Sequence, residues 1–434
     1  MTALMQYPSE KAEDRIAAIS RRKPGADPEI ESRVAEILEA VKSGGDEALL
    51  GFTREFDAPD MKLSQLCVSE EEIESAYRAV DSGFLDIIRA AIRNIEDFHR
   101  QQLRHSHFLT KPDGTFLGQI VRPVRAAGLY IPGGRGGETP LISSVLMNGI
   151  PARLAGVRDI ALTTPPRRDG SINPFLLAAA REVGVNRIHK AGGAWGIAAL
   201  AYGTGSIAPV DVIVGPGNIY VALAKKLVSG EVGIDMIAGP SEILVLAEEG
   251  SKPEYIAADM LSQAEHDSMA SAICIATSEA LADKVLKSLS VQLEKLPRKE
   301  IAAASLEQYG AVFVVNDVET AISLANRIAP EHLELHLKEP LPWLGKIENA
   351  GAVFIGDCTP EAVGDYFAGP NHVLPTAGTA RFASALGVDD FLKKTSVISY
   401  SREAFDRDAQ SIVRLAELEG LHGHAESVRR RMEK

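Results

Sequence analysis

The chain is poor in cysteine, in long apolar runs and in clustered positive charge. Its three cysteines, Cys67, Cys274 and Cys358, lie far apart and form no CxxC pair, so we expect no disulfide framework and no thiolate metal site. No apolar run reaches about eighteen residues, so no membrane-spanning helix is expected. The formal net charge is −13, and the longest basic runs, such as Arg429-Arg-Arg431 near the chain end, have only three residues. Binding to nucleic acid is therefore not expected.

The first residues also lack the features of a secretory leader. Residues 1–10 contain no basic stretch followed by an apolar one, so we predict no signal peptide and expect a cytoplasmic protein. Hydrophobic residues make up 45% of the chain and charged residues 24%, which is typical of globular rather than disordered proteins. At about 150 residues per unit, the length leaves room for roughly three units.

A dinucleotide-binding fingerprint is missing as well. Glycine-rich turns follow several predicted strands, but none has the GxGxxG spacing, and Gly215-Pro-Gly217, which comes nearest, lacks the third glycine. The motif alone therefore gives weak support for nicotinamide binding. The turns are Pro132-Gly-Gly134, Gly192-Gly193, Gly215-Pro-Gly-Asn218 and Gly239-Pro-Ser-Glu242.

From about residue 126 the chain shows a regular alternation of short apolar strands and helical stretches. One series covers about 127–228 and a second about 242–356. This pattern predicts an α/β fold with two Rossmann-like α/β units, each built on a mostly parallel sheet. Their similar size is consistent with an internal duplication. Residues 1 to about 45 and those after about 386 are predicted to be mainly helical segments.

Local signals mark several boundaries before the alternation begins. Asp27-Pro28 is predicted to open a helix that Ser43-Gly-Gly45 closes. Ser69 and Glu72 form a capping box at the start of a long amphipathic run to about residue 102. Residues 114–124 are predicted to form a hairpin or an extended pair.

Two stretches carry candidate metal and proton-transfer groups. Gln263 and His266 are three residues apart on a helix predicted over 254–266, so they share one face. An amide oxygen and an imidazole nitrogen suit zinc, although such a pair alone is commonplace on a solvated helix. Glu331 and His332 lie between a helix and a strand, where adjacent bases with different pKa values can serve proton transfer. Taken alone, that pair is more often a solvated junction.

Further polar groups occur near the chain end. Asp365 and His372 are seven residues apart in a loop rich in glycine and proline. Glu419 precedes two histidines, His422 and His424. None of these groups defines a site without the others.

Six motifs in order give the chain a resemblance to the histidinol dehydrogenase family. The similarity runs from about residue 30 to about residue 428, and the ordered set is far more specific than any single motif. The motifs are Gly215-Pro-Gly-Asn-Ile-Tyr-Val221, Asp235-Met-Ile-Ala-Gly-Pro-Ser-Glu242, Leu261-Ser-Gln-Ala-Glu-His-Asp267, Ala329-Pro-Glu-His-Leu-Glu334, Gly364-Asp-Tyr366 and Gly369-Pro-Asn-His-Val-Leu-Pro375.

The resemblance implies a zinc-dependent enzyme that oxidises L-histidinol to L-histidine with NAD, through a bound aldehyde, in the last step of histidine biosynthesis. Glu331 and His332 would be the catalytic pair, and Tyr130 and Asn218 would contact NAD. One zinc ion per subunit would be held by Gln263, His266, Asp365 and His424. Substrate would contact Ser241, Gln263, His266, His332, Asp365, Glu419 and His424, with His372 a nearby candidate.

The resemblance also implies an intertwined homodimer, in which His424 completes the site of the other subunit. The spacing after Glu419 selects His424 rather than His422 as the ligand. The implied domains are an N-terminal helical segment, a first α/β domain with the zinc and catalytic residues, a second α/β domain on the NAD side, and a tail that reaches the partner. Their boundaries are 1–26, 27–129 with 241–386, 130–240, and 387–434.

Two departures from the family pattern keep alternatives open. Trp195 stands where the family usually has a glutamine that contacts NAD, so it either stacks on the cofactor or fills the space beside Gly196. The loop at 133–144 also differs, and no contacts are transferred to it. One alternative is a dehydrogenase of the same fold for another polar or amino alcohol. Others are a zinc hydrolase that uses no NAD and a non-catalytic metal-binding scaffold.

Overall fold

The computed structural model describes residues 2–22, 28–134, 137, 139–185 and 187–433. The chain divides into two units, the first comprising Met1–Gln102 with Arg125–Phe391 and the second Leu103–Val124 with Leu392–Lys434. The predicted helix start at Asp27, and Arg135, Gly136 and Glu138 of the divergent loop, lie outside the described residues.

Strands and helices are numbered in chain order. The strands are β1 (Ala3–Gln6), β2 (His107–Thr110), β3 (Phe116–Pro123), β4 (Ala126–Tyr130), β5 (Asp159–Thr164), β6 (Arg187–Lys190), β7 (Val212–Val214), β8 (Gly233–Ile234), β9 (Glu242–Ala247), β10 (Ser271–Ala276), β11 (Ala311–Val314), β12 (His332–His336), β13 (Ala352–Ile355) and β14 (Leu392–Ser399). The helices are α1 (Glu10–Ser20), α2 (Pro28–Phe56), α3 (Glu70–Ala79), α4 (Ser82–Arg100), α5 (Ile142–Ala155), α6 (Pro174–Val183), α7 (Gly193–Tyr202), α8 (Ile219–Val228), α9 (Pro253–Ala264), α10 (Glu279–Leu293), α11 (Lys299–Tyr309), α12 (Val318–Ile328), α13 (Glu361–Tyr366), α14 (Arg402–Leu418) and α15 (His422–Met432).

The first unit contains two parallel sheets, as the alternation predicts. One has six strands in the order β1-β11-β10-β9-β12-β13, and the other has five in the order β6-β5-β4-β7-β8. Strands such as β9 and β10 are buried along their whole length. Burial on both faces explains their nearly continuous apolar sequences, because helices cover each side of a parallel sheet.

Strand β12 differs from its neighbours because its residues alternate in polarity. Leu333 and Leu335 join a large apolar cluster on one face of the sheet. The residues at the intervening positions, His332, Glu334 and His336, are equally buried but point to the other face. This buried polar face of β12 positions the candidate site.

Two predicted boundaries differ from the structure. The N-terminal segment, predicted to be helical, begins with β1, which pairs with β11; four residues are too few to show a strand period. The predicted helix end at Ser43-Gly-Gly45 is confirmed, because Gly45, at φ 57° and ψ −135°, is non-helical and separates the two helical segments of α2. The amphipathic run after Ser69 is divided into α3 and α4, because Asp81 caps a second helix. The Ser69–Glu72 capping box itself is confirmed.

The sheets also bear on the predicted domains. Four of the five residues of strand β4 lie in the 27–129 segment, which is assigned to the first domain, yet the strand pairs with β5 and β7 of the five-stranded sheet. Helix α2 likewise contributes Val34, Val41 and Leu49 to the apolar cluster under that sheet. The four predicted boundaries otherwise stay a prediction.

The second unit contains an antiparallel sheet in the order β14-β3-β2 and the helices α14 and α15. The hairpin of β2 and β3 starts earlier than predicted, at His107. The tail, predicted to be mostly helical, begins with a strand that pairs from Leu392, opposite Pro123, to Ser399, opposite Phe116. Two lysines and two serines obscure the strand pattern of β14 in the sequence. Among the described residues no helix has both the length and the apolarity to cross a membrane.

A buried ion pair fixes the Gly215-Pro-Gly-Asn218 turn. Lys225 and Asp235, with side chains 2% and 0% exposed, are in direct contact. The Lys225 ammonium also donates to the Gly215 carbonyl at 2.8 Å, and the Gly215 amide donates to Asp235 at 2.9 Å. Both polar groups of Gly215 are thus satisfied by this pair, so the turn after β7 depends on it.

Replacing Lys225 with Met should leave the Asp235 carboxylate buried without its partner. We expect the free energy of unfolding to fall by about 3–5 kcal/mol, the usual cost of breaking a buried pair. The neighbouring Lys226 is exposed and pairs with Glu31 at 3.2 Å, so Lys226→Met should cost less than about 1 kcal/mol. Urea unfolding of both variants measures the difference, and equal losses would contradict this account.

Candidate active site

The end of helix α12 determines where β12 begins. Ala329 ends α12 in the left-handed region, at φ 54°, and Pro330 cannot continue a helix. The chain therefore turns into β12 and places Glu331 and His332 beside the start of β9. Both side chains are buried there, with 7% of Glu331 and 3% of His332 exposed.

The main chain of one residue of β9, Glu242, holds both of these side chains. The Glu242 carbonyl lies 2.8 Å from His332 Nδ1, and the Glu242 amide donates to Glu331 Oε2 at 2.8 Å. Because a carbonyl only accepts hydrogen bonds, His332 carries its proton on Nδ1 when the ring is neutral. Its Nε2 is then an acceptor, and this buried atom has no hydrogen-bond partner among the described residues.

Two carboxylates of α13 face that free nitrogen. His332 Nε2 lies 3.8 Å from Glu361 Oε1 and 4.0 Å from Asp365 Oδ1. Glu361 and Asp365 are four residues apart on the short helix, so they share a face. One donor atom from each of these three residues lies within 4.8 Å of the other two.

Burial sets the protonation of this group. It lowers the pKa of His332 to about 4, although the bond to the Glu242 carbonyl acts in the opposite direction. It raises the pKa of Asp365 to about 6. Burial, together with the neighbouring carboxylates, also raises the pKa values of Glu331 and Glu361 well above their usual range. The site is thus a neutral base among carboxyl groups that resist ionisation, and a bound cation would relieve that resistance.

Gln263, in the last turn of α9, contacts the side chains of His332 and Glu361. Its side chain is fully buried, and hydrogen bonding assigns its amide nitrogen to Glu361 Oε1 at 2.8 Å. Its oxygen then accepts from the Glu242 amide and from His332 Nδ1, each at 3.2 Å. The predicted zinc ligand Gln263 therefore lies beside the predicted catalytic residue His332.

His266 lies near this group but not on the helix that was predicted to carry it. Helix α9 ends at Ala264, so His266 is in the following turn and is exposed. A charge on His266 would act to lower the pKa of His332.

The structure places the other candidate residues as follows. Ser241 directly precedes β9. His372 Nδ1 lies 3.1 Å from the Asp365 carbonyl, and burial lowers the pKa of His372 to about 4. Glu419 and His424 belong to the second unit, at the end of α14 and in the first turn of α15, and both are exposed.

Two residues of the site were missed by sequence reasoning. Glu361 was overlooked because Gly364 and the following glycines indicated a loop, although Glu361 and Asp365 have helical spacing. Glu242 was overlooked because its main chain, rather than its side chain, contacts the site. The Glu242 carboxylate instead pairs with Arg22 at 2.6 Å, and both side chains are buried.

The donors present fit a divalent cation such as zinc. The carboxylate oxygens of Glu361 and Asp365 lie close together, the amide of Gln263 lies beside Glu361, and zinc accepts nitrogen and oxygen ligands. His332 Nε2 also lies within 4.8 Å of those carboxylate oxygens. The group overlaps the implied zinc set at Asp365 and Gln263, and that set does not use His332, so Nε2 stays available as a base.

The two sheets present different ends to candidate ligands. Parallel sheets commonly bind ligands at the carboxyl ends of their strands. Tyr130 ends β4, and Gly192-Gly193 and the turn at 215–218 follow β6 and β7. In the six-stranded sheet the site lies instead at the amino ends of β9 and β12, because α9 and α13 carry their donors there.

The implied NAD contacts both have partners within the protein. The Tyr130 hydroxyl accepts a hydrogen bond from the Gly193 amide at 3.1 Å, and burial raises its pKa. The Asn218 side chain caps α8, accepting from the Tyr220 and Val221 amides at 3.1 and 3.2 Å. These bonds fix the two glycine-rich turns beside β4 and β7.

Trp195 fills space in the core of the first unit. It is 8% exposed and stacks on Phe56 and Phe52 of α2, with ring centroids 5.2 and 6.1 Å apart. Of the two roles left open for this residue, the structure favours packing over stacking on a cofactor.

Comparison with known proteins adds independent information. The histidinol dehydrogenase family model matches residues 20–432. A histidinol dehydrogenase of Desulfotalea psychrophila is 57% identical over 398 residues, covering 92% of each chain. One of Carboxydothermus hydrogenoformans is 54% identical over 420 residues, covering 97% of this chain and 98% of the relative. The crystal structure of histidinol dehydrogenase from Elizabethkingia anophelis superposes with a TM-score of 0.92 at 37% identity, covering 100% of this chain and 98% of that chain.

Trp195→Ala should destabilise the protein by about 3–5 kcal/mol, because it empties a large site against α2. Trp195→Phe should cost less, since it keeps a ring against Phe56. The chain's other tryptophan, Trp343, is only partly buried, so Trp343→Ala serves as the control and should cost less. Denaturant unfolding gives these values. A stability unchanged in Trp195→Ala, with only NAD affinity reduced, would instead favour contact with the cofactor.

Proposed function

Because the chain belongs to the histidinol dehydrogenase family, an NAD-linked oxidoreductase family of histidine biosynthesis, we propose that Glu331 and His332 catalyse the oxidation of L-histidinol to L-histidine at the amino ends of β9 and β12. The reaction takes two NAD-linked oxidations through a bound aldehyde. The observation that carries this assignment is the free, buried Nε2 of His332.

His332 has the properties of a general base. Burial keeps its pKa near 4, so the ring is neutral at pH 7, and the Glu242 carbonyl holds the proton on Nδ1. Nε2 is then the atom that accepts the alcohol proton in the first oxidation. In the second oxidation it accepts the proton of the aldehyde hydrate.

Glu331 has the properties of the group that activates water. The Glu242 amide fixes Oε2, and burial raises the pKa of Glu331 well above its usual range. A carboxylate with a raised pKa is a stronger base than an exposed one once it is ionised. Glu331 therefore takes the proton of the water that adds to the aldehyde.

Zinc, NAD and the substrate would contact residues described above. When bound, zinc supplies a Lewis acid that orients and polarises the substrate, and NAD supplies the hydride acceptor. Gln263, His266 and Asp365 of one subunit would hold the metal with His424 of another copy. Ser241 and Glu419 would position the substrate, and Tyr130 and Asn218 would lie along the nucleotide.

A homodimer accounts for features of the second unit. His424 and Glu419 are exposed there, although the resemblance gives both a place in a site. The same unit also exposes apolar side chains on β14, α14 and the turn that follows. These are Ile398, Leu415, Leu418 and Leu421, with exposures of 74%, 62%, 66% and 43%. Clustered exposed apolar residues mark interaction surfaces, and a second copy of the chain is the occupant that would bring His424 to a site.

Glu331→Gln should slow aldehyde oxidation by about 10²–10⁴-fold, the usual contribution of a general base. Alcohol oxidation should fall much less, because His332 remains in place. Single-turnover NADH formation from histidinol and from histidinaldehyde separates the two steps. Glu348→Gln, at an exposed glutamate, is the control. Equal losses in both steps would rule out this division of roles.

His424→Ala should lower bound zinc, whereas His422→Ala should retain it. Metal content measured by atomic emission tests the choice between the two histidines. Full zinc occupancy in His424→Ala would refute the assignment.

Shared sites give a second, sharper expectation. An equal mixture of His332→Ala and His424→Ala chains, unfolded and refolded together, should regain about one quarter of wild-type activity, because half of the dimers are mixed and each mixed dimer has one intact site. Each variant refolded alone is the control. No recovery in a mixture shown to contain mixed dimers would mean that each site is built from one chain.

Turnover of other amino alcohols tests the remaining specificity. The proposed function requires histidinol to be preferred over alcohols that lack an imidazole, as measured by NADH formation. Release of a hydrolysis product without NADH formation would point to the hydrolase alternative.

A further inference from the structure

A second group of donors lies on the same buried face of β12, beyond the proposed active site. Glu334 and His336 follow His332 at alternate positions of the strand, and Asp259 faces them from the middle of α9. Their side chains are 1%, 3% and 13% exposed. None of the three has a role in the proposed oxidation.

The distances within this group are close to those of a metal centre. His336 Nε2 lies 3.3 Å from Glu334 Oε2 and 3.7 Å from Asp259 Oδ2, and the three donor atoms all lie within 4.8 Å of one another. Nitrogen and oxygen ligands about 2.0–2.2 Å from a tetrahedral zinc ion are about 3.4 Å apart. The preformed spacing therefore needs little adjustment to bind a cation.

The other nitrogen of the His336 imidazole, Nδ1, faces a carboxylate. It is buried, has no hydrogen-bond partner among the described residues, and lies 3.7 Å from Asp357 Oδ1. A carboxylate behind a ligating histidine is the usual outer partner that fixes the ring tautomer. Asp357, which follows β13, is held in turn by Lys252 at 3.3 Å.

We propose that Asp259, Glu334 and His336 form a second binding site for a divalent transition-metal ion such as zinc, separate from the catalytic site. It lies toward the carboxyl end of β12, where parallel sheets commonly bind ligands. Three protein donors leave a fourth position for water.

The charge balance favours a cation here. Burial and the nearby Glu334 raise the pKa of Asp259 to about 7, so a cation beside Asp259 would favour its ionised form, which binds metal. Burial acts to lower the pKa of His336, but its bond to Glu334 and the surrounding carboxylates raise it overall. The competing occupant is therefore a proton, with an imidazolium in place of the metal.

The second site would be linked to the first through Glu334. Glu334 Oε2 faces His336, and Glu334 Oε1 accepts a hydrogen bond from the Glu361 amide at 2.9 Å. That amide begins α13, which carries Glu361 and Asp365. A metal bound at Glu334 would thus hold the start of the helix that faces His332.

Zinc stoichiometry tests the proposal directly. Chelator-stripped protein is titrated with Zn²⁺ alone, without histidinol or NAD, against a chromophoric competitor. Wild type should bind a second zinc ion per chain beyond the catalytic one. Glu334→Gln and Asp259→Asn should lose only the second ion, because each substitution removes a charge while keeping the side-chain shape. Glu254→Gln, at an exposed position of the same helix, is the matched control.

The His424→Ala background separates this proposal from the proposed function. In that background the catalytic ion should be lost, whereas a zinc-dependent rise in melting temperature should remain and should disappear on adding Glu334→Gln. Co²⁺ bound to His424→Ala should give visible absorption that His336→Gln abolishes. One zinc per wild-type chain, or a second zinc retained in Glu334→Gln and Asp259→Asn, would overturn the second site without touching the first.

Discussion

The structure depends on the main chain of one residue, Glu242, at the start of β9. The Glu242 amide and carbonyl, both at 2.8 Å, hold Glu331 and His332 of the neighbouring strand. Two acid–base groups are thus fixed by a main chain that is itself part of a parallel ladder, with His332 opposite Ile243. The Glu242 carboxylate is tied to the buried Arg22. This geometry is therefore as rigid as the sheet, and rigid support is what precise proton transfer requires.

The alternation along β12 explains how so many titratable groups are buried in one place. Leu333 and Leu335 secure one face of the strand in the apolar core. The opposite face is then free to carry His332, Glu334 and His336 between α9 and α13. Burying such groups costs free energy unless they have hydrogen-bonding partners or a bound cation. The raised pKa values of Asp259, Glu361 and Asp365 reflect that cost.

The sequence predicted much of this arrangement, for identifiable reasons. The βαβ alternation predicts both parallel sheets, and the family resemblance carried by the ordered motifs implies that Gln263, Glu331, His332 and Asp365 share one site. Glu242 was not predictable as a site residue, because its contribution is a main-chain carbonyl and amide supplied by strand order. Strands β1 and β14 were missed because one is very short and the other is interrupted by lysines, so pairing with distant strands, rather than local pattern, determines them.

The pKa shifts of Asp365 and His332 change stability in opposite directions as the pH falls below neutrality. Asp365 has a folded pKa of about 6, above its unfolded value, so its burial costs stability above pH 6 and that cost disappears as the pH falls. His332 has a folded pKa of about 4, below its unfolded value, so its cost is absent at pH 7 and grows as the pH falls from about 6.5 to 4. At neutral pH the loss of stability due to these shifts therefore comes from the buried carboxyl groups and not from His332. A cation removes that penalty while leaving the imidazole neutral, so the same burial that makes His332 a base also favours binding of metal beside it.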